Sequence, residues 1–201
     1  MIRLLLAEDQ TMLREALAAL LDLEPDIEVV AQAARGDEIA DAAWSSRADV
    51  AVVDIEMPGM SGLDAAVLVR ERVPSCRVLI VTTFARPGLL RRAMESGASG
   101  FVLKGAPLTE LAGAIRAVAT GSTAFDLDLA ATALRDGGSP LTAREVEVLQ
   151  AVRVTPTVAE IADQLYLSRG TVRNHLSSAI RKLGATNRVH AMQIAEAKGW
   201  I

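Results

Sequence analysis

Four consecutive apolar residues, Val50–Val53, are followed at once by an acidic residue, Asp54. Pro58, Gly59 and Gly62 then interrupt the chain before the next helical pattern begins. A short apolar run bounded by turn residues predicts a strand buried on both faces, as in a parallel sheet covered by helices. Ligands bind beyond the carboxyl ends of such strands. Asp54 therefore lies where a parallel sheet carries its chemistry, although an acid at a strand end is also a common turn former or helix cap.

The same alternation of apolar runs and helical patterns fills residues 1–121. Strands are predicted at Ile2–Ala7, Ile27–Ala33, Val50–Val53, Arg77–Thr82 and Ser99–Leu103, each followed by a helix. Such an alternation predicts an α/β domain with a five-stranded parallel sheet and right-handed crossovers.

The chain changes character after this domain. Residues 122–139 are small and polar, contain a short helical patch near Leu127–Leu134, and are predicted to form a linker. Residues 140–201 show only helical periodicity and predict an all-α domain of four helices. Residues 1–138 carry a net charge of −7 and residues 139–201 a net charge of +3. This asymmetry suggests two tasks and permits a polyanionic partner for the second part.

Side chains that can cap helices mark several predicted helix starts. Two of them, each a threonine followed three residues later by a glutamate, are capping boxes. The predicted caps are Thr11, Thr142 with Glu145, Thr157 with Glu160, Ser168 and Asn187.

Acidic, hydroxyl and amino side chains end or follow four of the predicted strands. They are Glu8 and Asp9 after the first, Asp54 after the third, Thr82 and Thr83 at the fourth, and Lys104 after the fifth. Because the carboxyl ends of parallel strands share one edge of the sheet, we expect these side chains to lie together. Clustered carboxylates repel one another and need a cation, and oxygen ligands suit Mg²⁺. The predicted magnesium ligands are Glu8, Asp9, Asp54 and the backbone carbonyl of Glu56.

This set of residues suits phosphoryl transfer onto Asp54. A carboxylate can attack phosphorus and hold the group covalently, while a metal ion and Lys104 neutralise the charge on the phosphoryl oxygens. The Thr82 hydroxyl supplies a donor. Taken singly, Lys104 is equally a solvated charge after a strand, and Thr82 a β-branched strand residue.

Residues 1–120 resemble the receiver domains of bacterial response regulators, which have a flavodoxin-like fold. The matching residues are Glu8-Asp9, Asp54 followed by Met57-Pro58-Gly59 and Gly62, Thr82, and Phe101 with Lys104. The resemblance implies that Asp54 accepts phosphate from a sensor histidine kinase. It also implies that the Thr82 hydroxyl then moves to the phosphoryl group and that the aromatic ring of Phe101 turns inward.

A second set of polar residues lies on one face of the third predicted helix of the all-α domain. The face is composed of Arg169, Arg173, Asn174, Ser177 and Arg181, opposite an apolar stripe. Arginine can bind guanine edges and asparagine adenine edges in the major groove of DNA. Phosphate contacts are predicted for Thr171, Lys182 and Arg188. An ordinary solvated helix face would show the same amphipathic pattern.

Residues 140–201 resemble the LuxR-type helix-turn-helix of the NarL/FixJ class of response regulators. The matching segments are Leu141–Glu145, Glu160–Ala162 and Thr171–His175. The resemblance implies binding to promoter DNA as a homodimer after phosphorylation, and it leaves RNA polymerase open as a further partner. Residues 83–88 and Gly199-Trp200 resemble the branch that includes regulators of membrane-lipid desaturation.

One segment departs from the pattern of this class. The segment Arg153-Val154-Thr155-Pro156 stands where a glycine-containing turn is usual. Threonine adopts a left-handed helix end less readily than glycine, so the sequence leaves the geometry of this turn open.

Two other functions use part of the same residue set. Aspartyl-phosphate phosphatases also have a strand-end aspartate, magnesium, threonine and lysine, but they use a second aspartate two residues later, where this chain has Glu56. A phosphorylated adaptor would bind protein rather than DNA through its helical domain. The resemblance implies a regulator rather than an enzyme, with only the magnesium-dependent phosphorylation and dephosphorylation of its own phosphoacceptor. We expect it in the cytoplasm, because the single cysteine fits a reducing compartment and no apolar run is long enough to span a membrane.

Overall fold

The predicted alternation of strands and helices is present in the computed structural model, which describes residues 1–83, 87–126, 139–155 and 157–201. Backbone contacts divide the chain into two compact units, a sheet with its covering helices and a group of C-terminal helices. Among the described residues, every helix is too short or too polar to cross a lipid bilayer.

All neighbouring strands of the sheet are parallel, in the order β2-β1-β3-β4-β5. The strands are β1 (Ile2–Ala7), β2 (Ile27–Ala33), β3 (Val50–Asp54), β4 (Arg77–Thr82) and β5 (Gly100–Leu103). This confirms the predicted fold class. All five residues of the central strand β3 are buried, as its continuous apolar run predicts.

Five helices connect or follow these strands, and a short 3₁₀ turn at Gly36–Glu38 precedes the second. They are α1 (Thr11–Leu21), α2 (Ile39–Ser46), α3 (Gly62–Arg72), α4 (Pro87–Glu95) and α5 (Leu108–Ala119). One aliphatic cluster joins β1, β3 and β4 to buried residues of α1 and α5, among them Leu21 and Ile115. The core is aliphatic because the sequence offers few aromatic residues.

The second unit contains α6 (Ala143–Val154), α7 (Val158–Gln164), α8 (Arg169–Lys182) and α9 (Arg188–Ala197). Its core is a separate aliphatic cluster that includes Leu149, Ile161, Val172 and Leu176. Both predicted capping boxes are formed, and the side chains of Ser168 and Asn187 cap α8 and α9.

The prediction for Thr11 is wrong. The Arg14 N–H donates to the carbonyl oxygen of Gln10 at 2.9 Å, so Gln10 is the N-cap residue and Thr11 is the first helical residue. At the end of α6, Thr155 is extended, with φ −123° and ψ 112°. The helix therefore ends in an extended residue rather than a left-handed one.

Several predictions fall on residues that the structure does not describe. They are the helical patch near Leu127–Leu134, residues 84–86 of the segment 83–88, and Pro156. The domain limits of 1–121 and 140–201, with a linker at 122–139, stay a prediction.

Candidate functional site

Asp54 is the last residue of β3 and lies at the carboxyl edge of the sheet, where it is only 5% exposed. The loop that follows is held close to the strand because Gly62 N–H donates to the carbonyl oxygen of Ile55 at 2.9 Å. A Cβ atom on Gly62 would lie 1.9 Å from the carbonyl oxygen of Asp54. Only glycine permits this approach, which brings the start of α3 beside the site.

Lys104 joins two buried carboxylates at this edge. Its Nζ atom lies 2.7 Å from Glu8 Oε2 and 2.9 Å from Asp54 Oδ2. The Lys104 backbone N–H donates to the carbonyl oxygen of Thr82 at 2.8 Å, which fixes the loop after β5 against the end of β4. The ammonium group is thus positioned by the sheet itself, and the prediction that these three charges lie together is matched by the geometry.

The electrostatics of this group reflect its burial. Burial raises the pKa of Asp54 and of Glu8, and hydrogen bonding to Lys104 opposes the rise without cancelling it. Burial alone would lower the pKa of Lys104, but hydrogen bonds to Glu8 and Asp54 raise it. A lysine with a raised pKa stays charged at neutral pH and can interact with an incoming anion.

A third carboxylate, Asp9, is exposed beside this pair. Glu8, Asp9 and Asp54 each offer an oxygen atom, and these three atoms all lie within 4.8 Å of one another. Lys104 compensates one of the three negative charges, so two remain when all three acids are ionised. A hard divalent cation with oxygen ligands, such as Mg²⁺, fits both the charge and the donor set.

The other predicted residues of this site lie around it. Thr82 is buried at the end of β4, and Thr83 after it is exposed. Burial is the largest influence on the pKa of Asp54 and raises it, and backbone hydrogen bonds from Glu56 and Ile55 oppose that rise. The Glu56 backbone N–H therefore faces the carboxylate, while the Glu56 side chain is exposed.

Phe101 is buried in β5, and its backbone joins the strand to a later part of the chain. Phe101 N–H donates to the carbonyl oxygen of Ala124 at 2.8 Å, and Ala124 N–H donates to Ser99 at 2.9 Å. Gly100 and Ala124 thereby form a parallel bridge at the outer edge of β5. The segment after α5 is thus hydrogen-bonded to the strand that carries the predicted switch aromatic.

In the second unit, α8 separates apolar from polar residues as predicted. Val172, Leu176 and Ala179 are buried against the other helices. The predicted base-reading residues are all exposed on the other side: Arg169, Arg173, Asn174, Ser177 and Arg181. Three arginines and an asparagine on one exposed helix face can hydrogen-bond to base edges in a major groove.

The residues predicted to hold phosphates are less uniform. Thr171 Oγ1 lies 2.8 Å from Ser168 Oγ, within the cap of α8, and Arg188 is half-buried at the start of α9. Lys182 Nζ lies 2.7 Å from Glu145 Oε2, and the Glu145 side chain is only 4% exposed. The ammonium of Lys182 therefore neutralises a buried charge in this structure.

Sequence reasoning missed two features of this unit. One is the pair of Lys182 and Glu145, which are 37 residues apart and carry no local signal of contact. The other is Tyr166, which is 96% exposed and has a positive φ of 53° in the turn between α7 and α8. The types of Lys182 and Glu145 give no sign that they are in contact. The turn gives no sign either, because positive φ is usual for glycine and this position holds tyrosine.

Comparison with protein families gives two matches. The family model described as response regulator receiver domain matches residues 4–116, and that described as bacterial regulatory proteins of the luxR family matches residues 139–195. Together they cover both units. Neither the phosphatase nor the adaptor alternative is favoured by these matches.

Individual proteins are similar over the full chain. Over 201 residues, the chain is 47% identical to the uncharacterized transcriptional regulatory protein YvfU of Bacillus subtilis, with 100% of both covered. It is 42% identical to the transcriptional regulatory protein DesR of the same organism, with 100% of this chain and 99% of that protein covered.

Solved structures match the chain over nearly its whole length. The response regulator ChrA of a heme-sensing two-component system matches with 33% identity and a TM-score of 0.57, covering 100% of this chain and 98% of that one. The response regulator RcsB in a DNA complex matches with 23% identity and a TM-score of 0.64, covering 98% of each chain. The second likeness concerns the fold alone.

Proposed function

Because this chain belongs to the bacterial response regulators that combine a receiver domain with a LuxR-type regulatory domain, we propose that phosphorylation of Asp54 controls its binding to promoter DNA. It is a transcriptional regulator of the two-component type. The phosphate donor is a sensor histidine kinase, and the protein acts in the cytoplasm, where both the kinase domain and the DNA are accessible.

The observation that carries this proposal is the bridge from Lys104 to Glu8 and Asp54. An Asp54 oxygen attacks the phosphorus of a phosphohistidine, the P–N bond breaks as the P–O bond forms, and the histidine leaves. The Lys104 ammonium lies close enough to Asp54 to form an ion pair with the oxygens of the transferred phosphoryl group.

The residues proposed to hold Mg²⁺ are Glu8, Asp9, Asp54 and the backbone carbonyl of Glu56. When bound, the ion would supply positive charge against the phosphoryl oxygens. The chain's own residues position the phosphoacceptor. Backbone hydrogen bonds from Ile55 and Glu56 orient Asp54, and burial excludes bulk water from its carboxylate.

Phosphorylation is proposed to rearrange side chains of β4 and β5. Thr82 ends β4 next to Lys104, and its hydroxyl is proposed to donate to the phosphoryl group, with Thr83 adjoining it. Phe101 has no hydroxyl, so its response would rest on packing alone. We propose that this rearrangement favours a homodimer, whose two α8 helices would bind half-sites about 34–36 Å apart.

The first experiment tests the phosphoacceptor. The full chain is incubated with radiolabelled acetyl phosphate and magnesium, and the hydroxylamine-labile label, which identifies an acyl phosphate, is counted. Asp54→Asn should lose the label, whereas Asp41→Asn, at an exposed acid, should label like the wild type. Labelling that persists in Asp54→Asn would contradict the assignment.

The second experiment tests the DNA-binding face. Arg173→Ala and Asn174→Ala should each weaken binding to a duplex selected by the wild-type protein by roughly 1–3 kcal/mol and relax its sequence preference. Arg72→Ala, at an exposed arginine of the receiver unit, is the matched control and should bind like the wild type. Unchanged binding by both α8 variants would refute the proposed docking of this helix.

A further inference from the structure

Tyr166 occupies a backbone position that usually belongs to glycine. The Leu167 N–H donates to the carbonyl oxygen of Ala162 at 2.8 Å, and the Tyr166 N–H donates to Asp163 at 3.4 Å. These two bonds are the Schellman arrangement that ends a helix, with Tyr166 as its left-handed residue at φ 53°. A bulky residue in this conformation is strained, because its Cβ atom crowds the backbone.

The strain is not repaid by packing. The tyrosine is 96% exposed, whereas Leu165 and Leu167 on either side pack against the aliphatic cluster of the second unit. Glycine would form the same turn without crowding. A strained residue that lowers stability and is not buried indicates a function at the protein surface.

The position of Tyr166 suggests what that task is. It lies two residues before Ser168, the N-cap of α8, whose exposed face begins with Arg169. In a helix-turn-helix the helix before the recognition helix crosses the DNA backbone, so the turn between the two lies beside phosphates. A phenol hydroxyl is a neutral donor, which can approach a phosphate although Asp163 of the same turn is acidic.

We infer that Tyr166 is a DNA-backbone contact: its hydroxyl donates to a phosphate oxygen at the edge of the groove that α8 enters. The inference rests on the proposed DNA binding. A phosphate contact carries no sequence information, so it should hold the protein on any duplex and set the angle at which α8 enters the groove.

The test uses the full chain, a duplex selected by the wild-type protein, and a random-sequence duplex of the same length. Tyr166→Phe keeps the ring and the turn but removes the donor. It should weaken binding to both duplexes by the same factor, roughly 3- to 20-fold. The salt dependence should be unchanged, because a neutral donor displaces no counterion.

Tyr166→Gly tests the strain as well. It should bind both duplexes at least as weakly as Tyr166→Phe, yet raise the temperature at which the second unit unfolds. Unfolding is followed by the fluorescence of Trp200, which packs against the core of this unit, in a chain whose Trp44 is replaced by phenylalanine. Opposite effects on binding and stability are expected only if the tyrosine is kept for its surface role.

Four outcomes would overturn the inference. These are wild-type affinity in Tyr166→Phe, a loss confined to the selected duplex, an unchanged unfolding temperature in Tyr166→Gly, or unchanged DNA binding with altered self-association, which would make the ring a protein contact. Arg173→Ala serves as the reference. If it weakens binding while the tyrosine variants do not, only the inference about Tyr166 fails; if neither the wild type nor Arg173→Ala binds DNA, the proposed function fails.

Discussion

Replacing Lys182 by methionine should destabilise the helical unit, because it leaves a buried charge without its cation. The Glu145 side chain is 4% exposed and accepts from Lys182 Nζ at 2.7 Å and from Thr142 N–H at 2.7 Å. Burial would raise the pKa of Glu145, but the hydrogen bonds from Lys182, Thr142 and Ser178 outweigh it and lower the pKa from 4.5 to about 2.

The magnitude follows from this pKa. Lowering it from 4.5 to about 2 corresponds to at most roughly 3 kcal/mol of stability at neutral pH. Lys182 is the first of the partners that lower it, and the capping bonds of Thr142 survive the substitution, so Lys182→Met should reduce the free energy of unfolding by roughly 2 kcal/mol. A lowered pKa gives stability that is fully present above pH 4.5 and is lost as the pH falls toward 2. The difference between variant and wild type should therefore shrink below about pH 4.5.

Urea unfolding followed by Trp200 fluorescence measures this unit alone if Trp44, which is 70% exposed in the other unit, is first replaced by phenylalanine. Arg144→Ala, on α6 next to Glu145, is the matched control. It breaks the exposed pair of Arg144 and Glu147 and should change stability by less than about 1 kcal/mol. Adding Glu145→Gln to Lys182→Met should recover part of the loss, because the buried charge is removed.

A free energy of unfolding of Lys182→Met within about 0.5 kcal/mol of the wild-type value at pH 7 would refute the role of this ion pair, because ordinary surface substitutions cause differences of that size. That role is also refuted if the difference is the same at pH 7 and at pH 3.

Three further outcomes are expected. Gly62→Ala should lower the stability of the receiver unit by about 2–3 kcal/mol and abolish labelling by acetyl phosphate, because its Cβ would lie 1.9 Å from the carbonyl oxygen of Asp54. Gly105→Ala is the control: its Cβ would have nothing within 4 Å, so stability and labelling should both be unchanged. Lys104→Met should lower the thermal midpoint of this unit in calorimetry, and magnesium should raise the midpoint of the variant more than that of the wild type, because all three carboxylates then lack a cation. Burial raises the pKa of Cys76 to about 12, so the native protein should react with a thiol reagent at pH 8 far more slowly than the urea-unfolded chain; equal rates would contradict its burial.

Much of the fold follows from local signals in the sequence. The buried strand before Asp54 is predictable because a continuous apolar run can be satisfied only where helices cover both faces of a sheet. The starts of α6 and α7 are predictable because both bonds of a capping box come from residues three apart. The meeting of Glu8, Asp54 and Lys104 is also predictable, because topology alone brings the ends of parallel strands to one edge.

Other features depend on geometry that residue type does not encode. Thr11 is as good a cap as Ser168 by composition, but the backbone of the loop after β1 reaches the helical conformation one residue earlier. The pairing of Lys182 with Glu145 joins helices far apart in sequence, so residue type alone predicted Lys182 as a phosphate contact and gave no sign of its buried partner. The left-handed turn at Tyr166 is hidden because the usual marker, glycine, is missing.

The bridge between Gly100 and Ala124 has a consequence for how copies of this protein can associate. An open strand at the side of a sheet offers unpaired N–H and C=O groups on which another chain can extend the sheet. Here Ala124 already pairs with the backbone of Ser99 and Phe101, and a Cβ on Gly100 would lie only 2.9 Å from it. A neighbouring molecule could add a strand beside β5 only by first displacing this segment. Self-assembly beside this part of β5 must therefore use contacts between side chains, which protects this edge of the sheet from edge-to-edge pairing.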